Sequence, residues 1–185
     1  MLGWEELEKT CKSCNSCALC NARKNVVFGA GDKNARLMLI GEGPGEAEDL
    51  SGEPFVGRAG KLLDALLASV GVSREEVYIA NIVKCRPPHN RDPLPEERKA
   101  CFAWLDNQIR LISPEIIVCL GRIAAMSFIK PEIKITKEHG IWFEYYGIKT
   151  MATFHPAALL RDPSRRADSF EDMRKVEDEL SAHKG

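Results

Sequence analysis

The chain has 185 residues, a net charge of −1 and 44% hydrophobic residues, which is the composition of an ordinary globular protein. Its length suits one domain with its own core, and its balanced charge excludes a chain that is basic throughout, so a nucleic-acid surface has to be local. It contains no apolar run as long as the roughly 18 residues of a membrane span, and it begins with MLGWEELEKT, which is too acidic and polar for a secretory signal. We therefore expect a single domain over residues 1–185, located in the cytoplasm and without a membrane partner.

Four of the seven cysteines fall in CKSCNSCALC, residues 11–20, within an N-terminal arm that we place at residues 1–25. In a reducing compartment, clustered thiols are typical of metal or redox sites rather than of a disulfide framework. Four thiols are enough for one tetrahedral metal ion or one iron–sulfur cluster. The spacing alone leaves open which of these cysteines belong to such a site.

Beyond this arm, short apolar runs alternate with segments of helical periodicity. The apolar runs predict strands at residues 36–40, 77–83 and 115–120, the helical spacing predicts helices at 60–70, 96–112 and 122–129, and residues 86–95 are a proline-rich loop. Residues 141–154 form two extended segments hinged at Gly147, and a capping-box pattern begins a C-terminal helix at about 168–183. Buried strands that alternate with helices predict an α/β fold whose parallel sheet is covered on both faces.

In such a sheet, ligands bind beyond the carboxyl ends of the strands. The first of these ends carries the loop GEGPG, residues 41–45, which lacks the spacing of a dinucleotide-binding loop and is crowded by carboxylates that repel a phosphate. Its glycines let backbone N–H groups approach a neutral ligand, or a transition state that becomes cationic, beside Glu42. A tight strand-to-helix turn with a solvated acidic face is an equally good interpretation of this loop.

Three further residues stand near the ends of predicted strands. Phe55, in PFVGRAG, is either a plug over the core or a platform for a flat ring. Asn81 interrupts the strand VYIANIV, where a buried amide serves either a structural network or the edge of a ligand such as a nucleobase. His155 ends an apolar strand before Pro156, although most single histidines in such a place have no function.

The turn after His155 contains Leu159, Leu160 and Arg161, an unusual composition for a turn that we expect to be exposed. Leucines beside an arginine could wedge a base step while the guanidinium group holds a phosphate. A local basic rim would come from further side chains, each of which taken singly is a solvated charge: Arg58, Lys61, Lys84, Arg86, Arg91, Arg165 and Arg166.

Several of these segments form an ordered series. GEGPGEAED, PFVGRAG, NIVKCRPP and HPAALLR follow one another in this order, after a CxxC that precedes NVVFGAG. Together they resemble the family 4 uracil-DNA glycosylases, the iron–sulfur branch of the uracil-DNA glycosylase superfamily, from about Cys14 to Arg161. The resemblance implies a three-layer α/β/α fold with a central four-stranded, mostly parallel sheet. It also implies a DNA repair enzyme of base excision repair, which hydrolyses the bond between uracil and deoxyribose and leaves an abasic site.

The same resemblance implies roles for individual residues. Glu42 is the catalytic carboxylate near the sugar and the attacking water, and the backbone at Gly41 and Gly43 approaches the base. Phe55 stacks on uracil, Asn81 pairs with its edge and rejects cytosine, and His155 donates a hydrogen bond to O2. The DNA contacts that we expect come from Arg58, Arg86, Leu159, Leu160 and Arg161.

The family pattern also divides the cysteines. It implies a [4Fe–4S] cluster held by four of them: Cys14, Cys17, Cys85 and Cys101. Cys119 is then a buried core thiol, while Cys11 and Cys20 have no assigned role. The partner that we expect is uracil-containing DNA, single- or double-stranded, bound by a monomer, with repair or replication proteins as further partners.

Two other classes of protein compete with this interpretation. An iron–sulfur electron-transfer protein would explain the cysteine ladder, but the last gap of that ladder is two residues rather than three, and Asn21 rather than proline follows it. A zinc-stapled, non-catalytic nucleic-acid-binding module would need paired CxxC knuckles, whereas Cys85 and Cys101 are far apart in sequence. Neither alternative uses GEGPG, Asn81 and HPAALLR together.

Overall fold

The computed structural model describes residues 2–183. Its strands are β1 (Ala30–Gly31), β2 (Leu37–Gly41), β3 (Tyr78–Asn81), β4 (Ile116–Leu120), β5 (Trp142–Tyr145) and β6 (Ile148–Thr153). Its helices are α1 (Trp4–Lys12), α2 (Glu46–Ser51), α3 (Arg58–Ser69), α4 (Pro95–Ile112), α5 (Arg122–Phe128), α6 (Ile135–Glu138), α7 (Pro156–Arg161) and α8 (Arg166–Ala182). Short 3-10 turns lie between some of these elements.

The strands of the described residues form one sheet in the order β1-β3-β2-β4-β6-β5. The four central strands, β3, β2, β4 and β6, are mutually parallel, which confirms the predicted α/β class and its parallel core. The sheet has six strands rather than four, because β1 and β5 add antiparallel edges. The two extended segments expected on either side of Gly147 are β5 and β6, which pair as an antiparallel hairpin, and the φ of +83° at Gly147 suits glycine in a tight turn.

Both faces of the sheet are covered, as its apolar strands require. Leu37 and Leu39 of β2 point to one face, where they pack with α3 and α8. Met38 and Ile40 point to the other face, where they pack with α1, α4 and α5. Because successive side chains of a strand face opposite ways, a continuous apolar run is buried only when helices lie on both sides. The molecule therefore has three layers.

The N-terminal arm begins with a helix that the sequence analysis did not predict. One face of α1 buries Leu7 and Cys11 and packs against α4. Because the other positions of α1 are mostly charged, its amphipathic pattern is easily taken for a solvated arm. No helix among residues 2–183 has the length and apolar character needed to cross a membrane.

Candidate active site

The carboxyl ends of the central strands border one open pocket, as the parallel topology predicts. The loop after β2 supplies Glu42 and Gly43, β3 ends at Asn81, and β6 is followed by His155. The wall also contains these side chains from neighbouring segments: Phe55, Arg58, Arg91, Asp92 and Arg161. We call this the edge pocket. It brings together most of the predicted site residues from distant parts of the chain.

The amide of Asn81 is the least satisfied group in the edge pocket. Asn81 lies opposite Gly41 in the parallel ladder and is 2% exposed. Its Oδ1 is buried and has no hydrogen-bond partner among the described residues, although nearly all buried polar atoms in proteins have one. A Cβ at Gly41 would lie 2.5 Å from this oxygen and 2.7 Å from Cζ of Phe55. Gly41 therefore leaves space for the amide and the ring, and the amide oxygen is free to accept from a ligand.

Phe55 is held in an unusual backbone conformation. Its φ is +51°, in the left-handed region that a bulky aromatic residue rarely adopts. Its carbonyl oxygen accepts a hydrogen bond from Nη1 of Arg74 at 2.7 Å, and a Cβ at Gly60 would lie only 1.8 Å from that oxygen. The ring centroid lies 5.5 Å from that of His155, with 31° between the ring planes. These contacts fix the aromatic ring in the wall beside the imidazole.

His155 is a neutral hydrogen-bond donor. The backbone N–H of Ala157 donates to Nδ1 at 3.0 Å, so the hydrogen of the neutral ring is on Nε2. Burial, and to a lesser degree the charge of Arg161, lowers the pKa of His155 to about 4. A Cβ at Gly121 would lie 2.9 Å from Cβ of His155, so this glycine lets the ring pack closely on the end of β4. The pocket thus has a donor that stays uncharged at physiological pH.

Glu42 is a carboxyl group that titrates near neutral pH. Burial raises the pKa of Glu42 to about 7, and the charge of Asp92 and a hydrogen bond to that residue add to the rise. Arg122 and Arg161 act in the opposite direction. A carboxyl group with such a pKa can accept or release a proton under physiological conditions, which suits general acid–base catalysis.

The predicted DNA-facing residues are only partly confirmed as surface groups. Leu159 was expected to be exposed, and this is wrong: it is 0% exposed because α7 turns it inwards onto an apolar cluster with α3. Lys84 does not belong to the basic rim either, since it is 1% exposed. Arg161 is exposed and Leu160 is half-buried, so both can contact a ligand.

The other two arginines of that prediction lie in different places. Arg58 is exposed at the first position of α3 and lines the edge pocket. Arg86 lies outside the wall of this pocket, on the proline-rich loop, and its Nε donates to Oδ1 of Asn90 at 2.8 Å. The structure therefore places Arg58 at the pocket itself and Arg86 on a neighbouring surface.

A second, narrow cavity is bordered by cysteine side chains. Six cysteines from α1, the arm, the turn after β3 and α4 line it: Cys11, Cys14, Cys17, Cys20, Cys85 and Cys101. We call it the sulfur cavity. All cysteines of residues 2–183 are free thiols, and no three metal-binding side chains in this range converge tightly enough for a single metal ion. The four predicted ligands are all among the residues that border this cavity.

Hydrogen-bond donors point at the sulfur atoms of this cavity. Nη1 of Arg23 donates to Sγ of Cys85 at 3.4 Å, and the backbone N–H of Lys84 donates to Sγ of Cys101 at 3.3 Å. Burial raises the pKa of Cys101 to about 11, although the charge of Lys84 opposes this rise. Donors and a buried cation beside sulfur stabilise its anionic form, which is the form that binds metal.

The buried ammonium group of Lys84 is satisfied from the opposite side of the core. Its Nζ donates to the carbonyl oxygen of Phe28 at 3.0 Å and to Oε1 of Gln108 at 2.6 Å. A buried lysine is tolerated only when such partners replace water. These contacts hold a positive charge behind the sulfur cavity.

Two residues next to Glu42 and His155 were missed by the sequence analysis, Asp92 in the edge pocket and Gly121 in the groove beside it. Gly121 lies in the loop after β4, one of the strand ends where a site is expected, but a glycine after a strand carries no specific signal. Asp92 lies in the proline-rich loop, where an aspartate is common and no periodicity distinguishes it. Only the fold brings them next to His155 and Glu42.

The sequence is similar to known enzymes over most of its length. The family model of the uracil DNA glycosylase superfamily matches residues 28–181. A type-4 uracil-DNA glycosylase of Thermotoga maritima is 47% identical over 176 residues, covering 93% of this chain and 92% of that protein. The type-4 enzymes of Archaeoglobus fulgidus and Saccharolobus solfataricus are 43% and 47% identical, covering 93% and 92% of this chain and 90% and 83% of those proteins.

Proposed function

The chain belongs to the uracil-DNA glycosylase superfamily, and we propose that the edge pocket is the site at which it hydrolyses the bond between uracil and deoxyribose in DNA. Its type-4 relatives support the activity itself, DNA repair by uracil excision. The observation that carries the choice of pocket is the buried, unpartnered Oδ1 of Asn81. An unsatisfied buried acceptor costs about 1–3 kcal/mol, so the pocket favours a ligand that brings a donor to it.

Uracil brings that donor on its Watson–Crick edge. Its N3–H donates to Oδ1 of Asn81, and its O4 accepts from the amide N–H group of the same side chain. Cytosine presents an unprotonated N3 and an exocyclic amine in these positions, so both amide atoms would face groups of their own kind. The ring of Phe55 stacks on the base and holds its plane, while Gly41 and Gly43 leave room for the base to approach.

His155 stabilises the departing base. Its Nε2–H donates to O2 of uracil, where negative charge collects as the bond to the sugar breaks. Because the ring is neutral and its tautomer is fixed by Ala157, this donor is in place before the reaction begins. A fixed donor to a developing anion is typically worth ~10²–10³ in rate.

Glu42 serves the sugar and the attacking water. The bond between C1′ and N1 breaks, its electron pair leaves with uracil, and the sugar becomes an oxocarbenium-like cation. A water oxygen then forms a bond to C1′ while its proton passes to the Glu42 carboxylate, which releases it to solvent. The uracil anion takes up a proton from solvent after it leaves. The DNA product carries an abasic site.

The substrate is uracil-containing DNA, single- or double-stranded. The target base has to leave the helical stack to reach a recessed pocket. The exposed guanidinium groups of Arg58 and Arg161 at the pocket wall suit the flanking phosphates, and Arg86 extends this basic surface along the proline-rich loop. Leu160 beside Arg161 provides an apolar wedge, a role from which burial excludes Leu159.

The sulfur cavity is suited to a [4Fe–4S] cluster. Its four ligands in this proposal are the cysteines from three segments: Cys14, Cys17, Cys85 and Cys101. The fit is supported by their free thiols, by the cavity that they share and by the donors from Arg23 and Lys84. When bound, such a cluster cross-links these segments and supplies no group to the reacting atoms.

The remaining features of the proposal concern the whole chain. We place a single domain over residues 1–185 in a reducing, cytoplasmic compartment, which the free thiols support. The protein acts as a monomer in this proposal. Repair or replication proteins are natural further partners, because an abasic site needs later processing.

The proposed function is tested by base release from a labelled oligonucleotide that contains one uracil, followed by alkali. We expect strand cleavage at the uracil position, and we expect His155→Ala to slow it by ~10²–10³ in a protein that stays folded, with its melting temperature lowered by the loss of the cap of α7. His183→Ala is the matched control, because that imidazole is exposed at the end of α8. Intact strands with the parent protein would contradict the proposed activity and leave a DNA-binding module or an electron carrier. Equal rates of excision for His155→Ala and the parent would contradict the role proposed for His155.

A further inference from the structure

Asp92 lies in the edge pocket on a loop whose backbone is clamped in place. The guanidinium group of Arg91 binds the buried Glu97 through two hydrogen bonds, Nη1 to Oε2 at 2.9 Å and Nη2 to Oε1 at 2.7 Å. The same Nη1 donates to the carbonyl oxygen of Asp92 at 3.0 Å, and Oε2 of Glu97 accepts from the N–H of Leu94 at 2.8 Å. Backbone on both sides of Asp92 is therefore tied to the first turn of α4.

The carboxyl group of Asp92 extends from this clamp towards Glu42. Both residues line the edge pocket and the groove next to it, so the negative charge of Asp92 acts on the carboxyl group of Glu42. On its far side, Oδ2 of Asp92 lies 3.7 Å from Nη2 of Arg122 at the start of α5. Asp92 thus bridges the proline-rich loop and α5 across Glu42.

We propose that Asp92 is a positioning residue whose negative charge beside Glu42 sets the pH above which Glu42 can accept a proton from the attacking water. The inference rests on the proposed function, because it requires Glu42 to act as the base. A like charge close to a carboxyl group disfavours its ionised form. Asp92 contacts no reacting atom in this role.

The charges around Glu42 determine the sign of the effect. Arg122 of α5 and Arg161 of α7 favour its ionised form, whereas burial and Asp92 favour the protonated form. Further along the wall lie Glu48, Arg58 and Arg91, together with the neutral His155. With the pKa of Glu42 at about 7, the base is protonated below neutral pH and ionised above it, so the rate of excision rises as the pH passes through 7.

The test is single-turnover release of uracil from an oligonucleotide between roughly pH 5 and pH 9. Asp92→Asn removes the charge and keeps the shape, so we expect the acid limb of the profile to move down by about one pH unit. At pH 6 the variant should then be about fivefold faster than the parent, with the same rate at the alkaline plateau. Asp92 is exposed enough for this substitution to leave folding intact, which thermal melting would verify.

Three matched variants sharpen this experiment. Asp92→Glu keeps the charge and should retain the parental limb, and Asp106→Asn, an ion-pair residue elsewhere on α4, should not move it. In a Glu42→Gln background, Asp92→Asn should have no effect on the pH profile. An unmoved limb in Asp92→Asn, or a rate lowered equally at every pH, would overturn the inference while excision by the parent still stood. A parent that released no uracil at any pH would overturn the proposed function itself.

Discussion

The edge pocket and the sulfur cavity satisfy their polar groups in opposite ways. In the edge pocket, Oδ1 of Asn81 has no partner among the described residues, and Phe55 holds a strained φ of +51°. Burial also disfavours the ionised form of Glu42. In the sulfur cavity, donors already reach the sulfur atoms of Cys85 and Cys101. Unmet polar groups suit a ligand that arrives and leaves, while satisfied ones suit a group that stays.

The two regions nevertheless share one stretch of chain. β3 ends in the edge pocket, and the next turn enters the sulfur cavity at Cys85. The chain then forms the proline-rich loop with Asp92 and returns to the cavity at Cys101 on α4. Damage to the cavity should therefore reach the pocket through this loop, whereas removal of a polar group from the pocket should leave the cavity intact.

The largest effect is expected from Cys85→Ser, which changes the shared stretch of chain where it borders the sulfur cavity. A serine hydroxyl is a poor ligand for iron, and the binding free energy of a structural metal centre contributes to folding. We expect loss of iron, a melting temperature lower by roughly 10 °C and no detectable uracil release. Iron and sulfide analysis of anaerobically purified protein, with thermal melting, measures this.

Cys20→Ser is the control for that experiment, because Cys20 borders the same cavity without being a proposed ligand. It should keep parental iron content and stability. Parental iron in Cys85→Ser, or an equal loss in Cys20→Ser, would show that the ligand assignment is wrong.

A smaller and more selective effect is expected from Asn81→Ala, which removes the amide from the edge pocket. Uracil excision should slow by ~10²–10³, because the Watson–Crick edge of the base loses its hydrogen bonds to the Asn81 amide. Iron content should not change, and the melting temperature should stay level or rise, because an unsatisfied buried oxygen is removed. Single-turnover rates and thermal melting measure both, with Asn107→Ala on α4 as the control. A fall in iron or stability that matched the loss of rate would break the distinction between the two regions.

The smallest effect is expected from Leu160→Ala at the rim of the edge pocket. If this half-buried side chain wedges a base step, excision should slow a few-fold on duplex DNA and not on single-stranded DNA, which has no stack to open. Leu159→Ala is the structural counterpart: it should destabilise the fold by roughly 2–5 kcal/mol, because that side chain is wholly buried. Equal slowing of excision from both substrates by Leu160→Ala would show that this side chain does not open the base stack.

The central elements were predictable because burial imposes a period on the sequence. The strand predicted at 36–40 is β2 at Leu37–Gly41, and the helix predicted at 96–112 is α4 at Pro95–Ile112. The edge strand β1 was not predicted, since two residues carry no period. The short helices α2 and α6 were not predicted for the same reason. Their ends depend on tertiary contacts that cannot be inferred from the local sequence.

The residues of the candidate site were likewise predictable only in part. Glu42, Asn81 and His155 were identified because they follow apolar strands in an ordered series of motifs, and the structure brings them into one pocket. Asp92 could not be predicted, since its importance comes from a contact between a loop and a distant strand end. Lys84 was misplaced because a lysine reads as a surface charge unless its buried partners, Phe28 and Gln108, are known.

The short turn between β3 and the proline-rich loop has a consequence for how this chain can change over evolutionary time. Asn81 faces the edge pocket, Lys84 enters the core, and Cys85 faces the sulfur cavity. Because these three side chains enter three different environments within one short turn, inserting or deleting one residue between them would displace at least one of them from its place. Lineages of this protein should therefore vary in the length of their other loops while keeping this interval fixed.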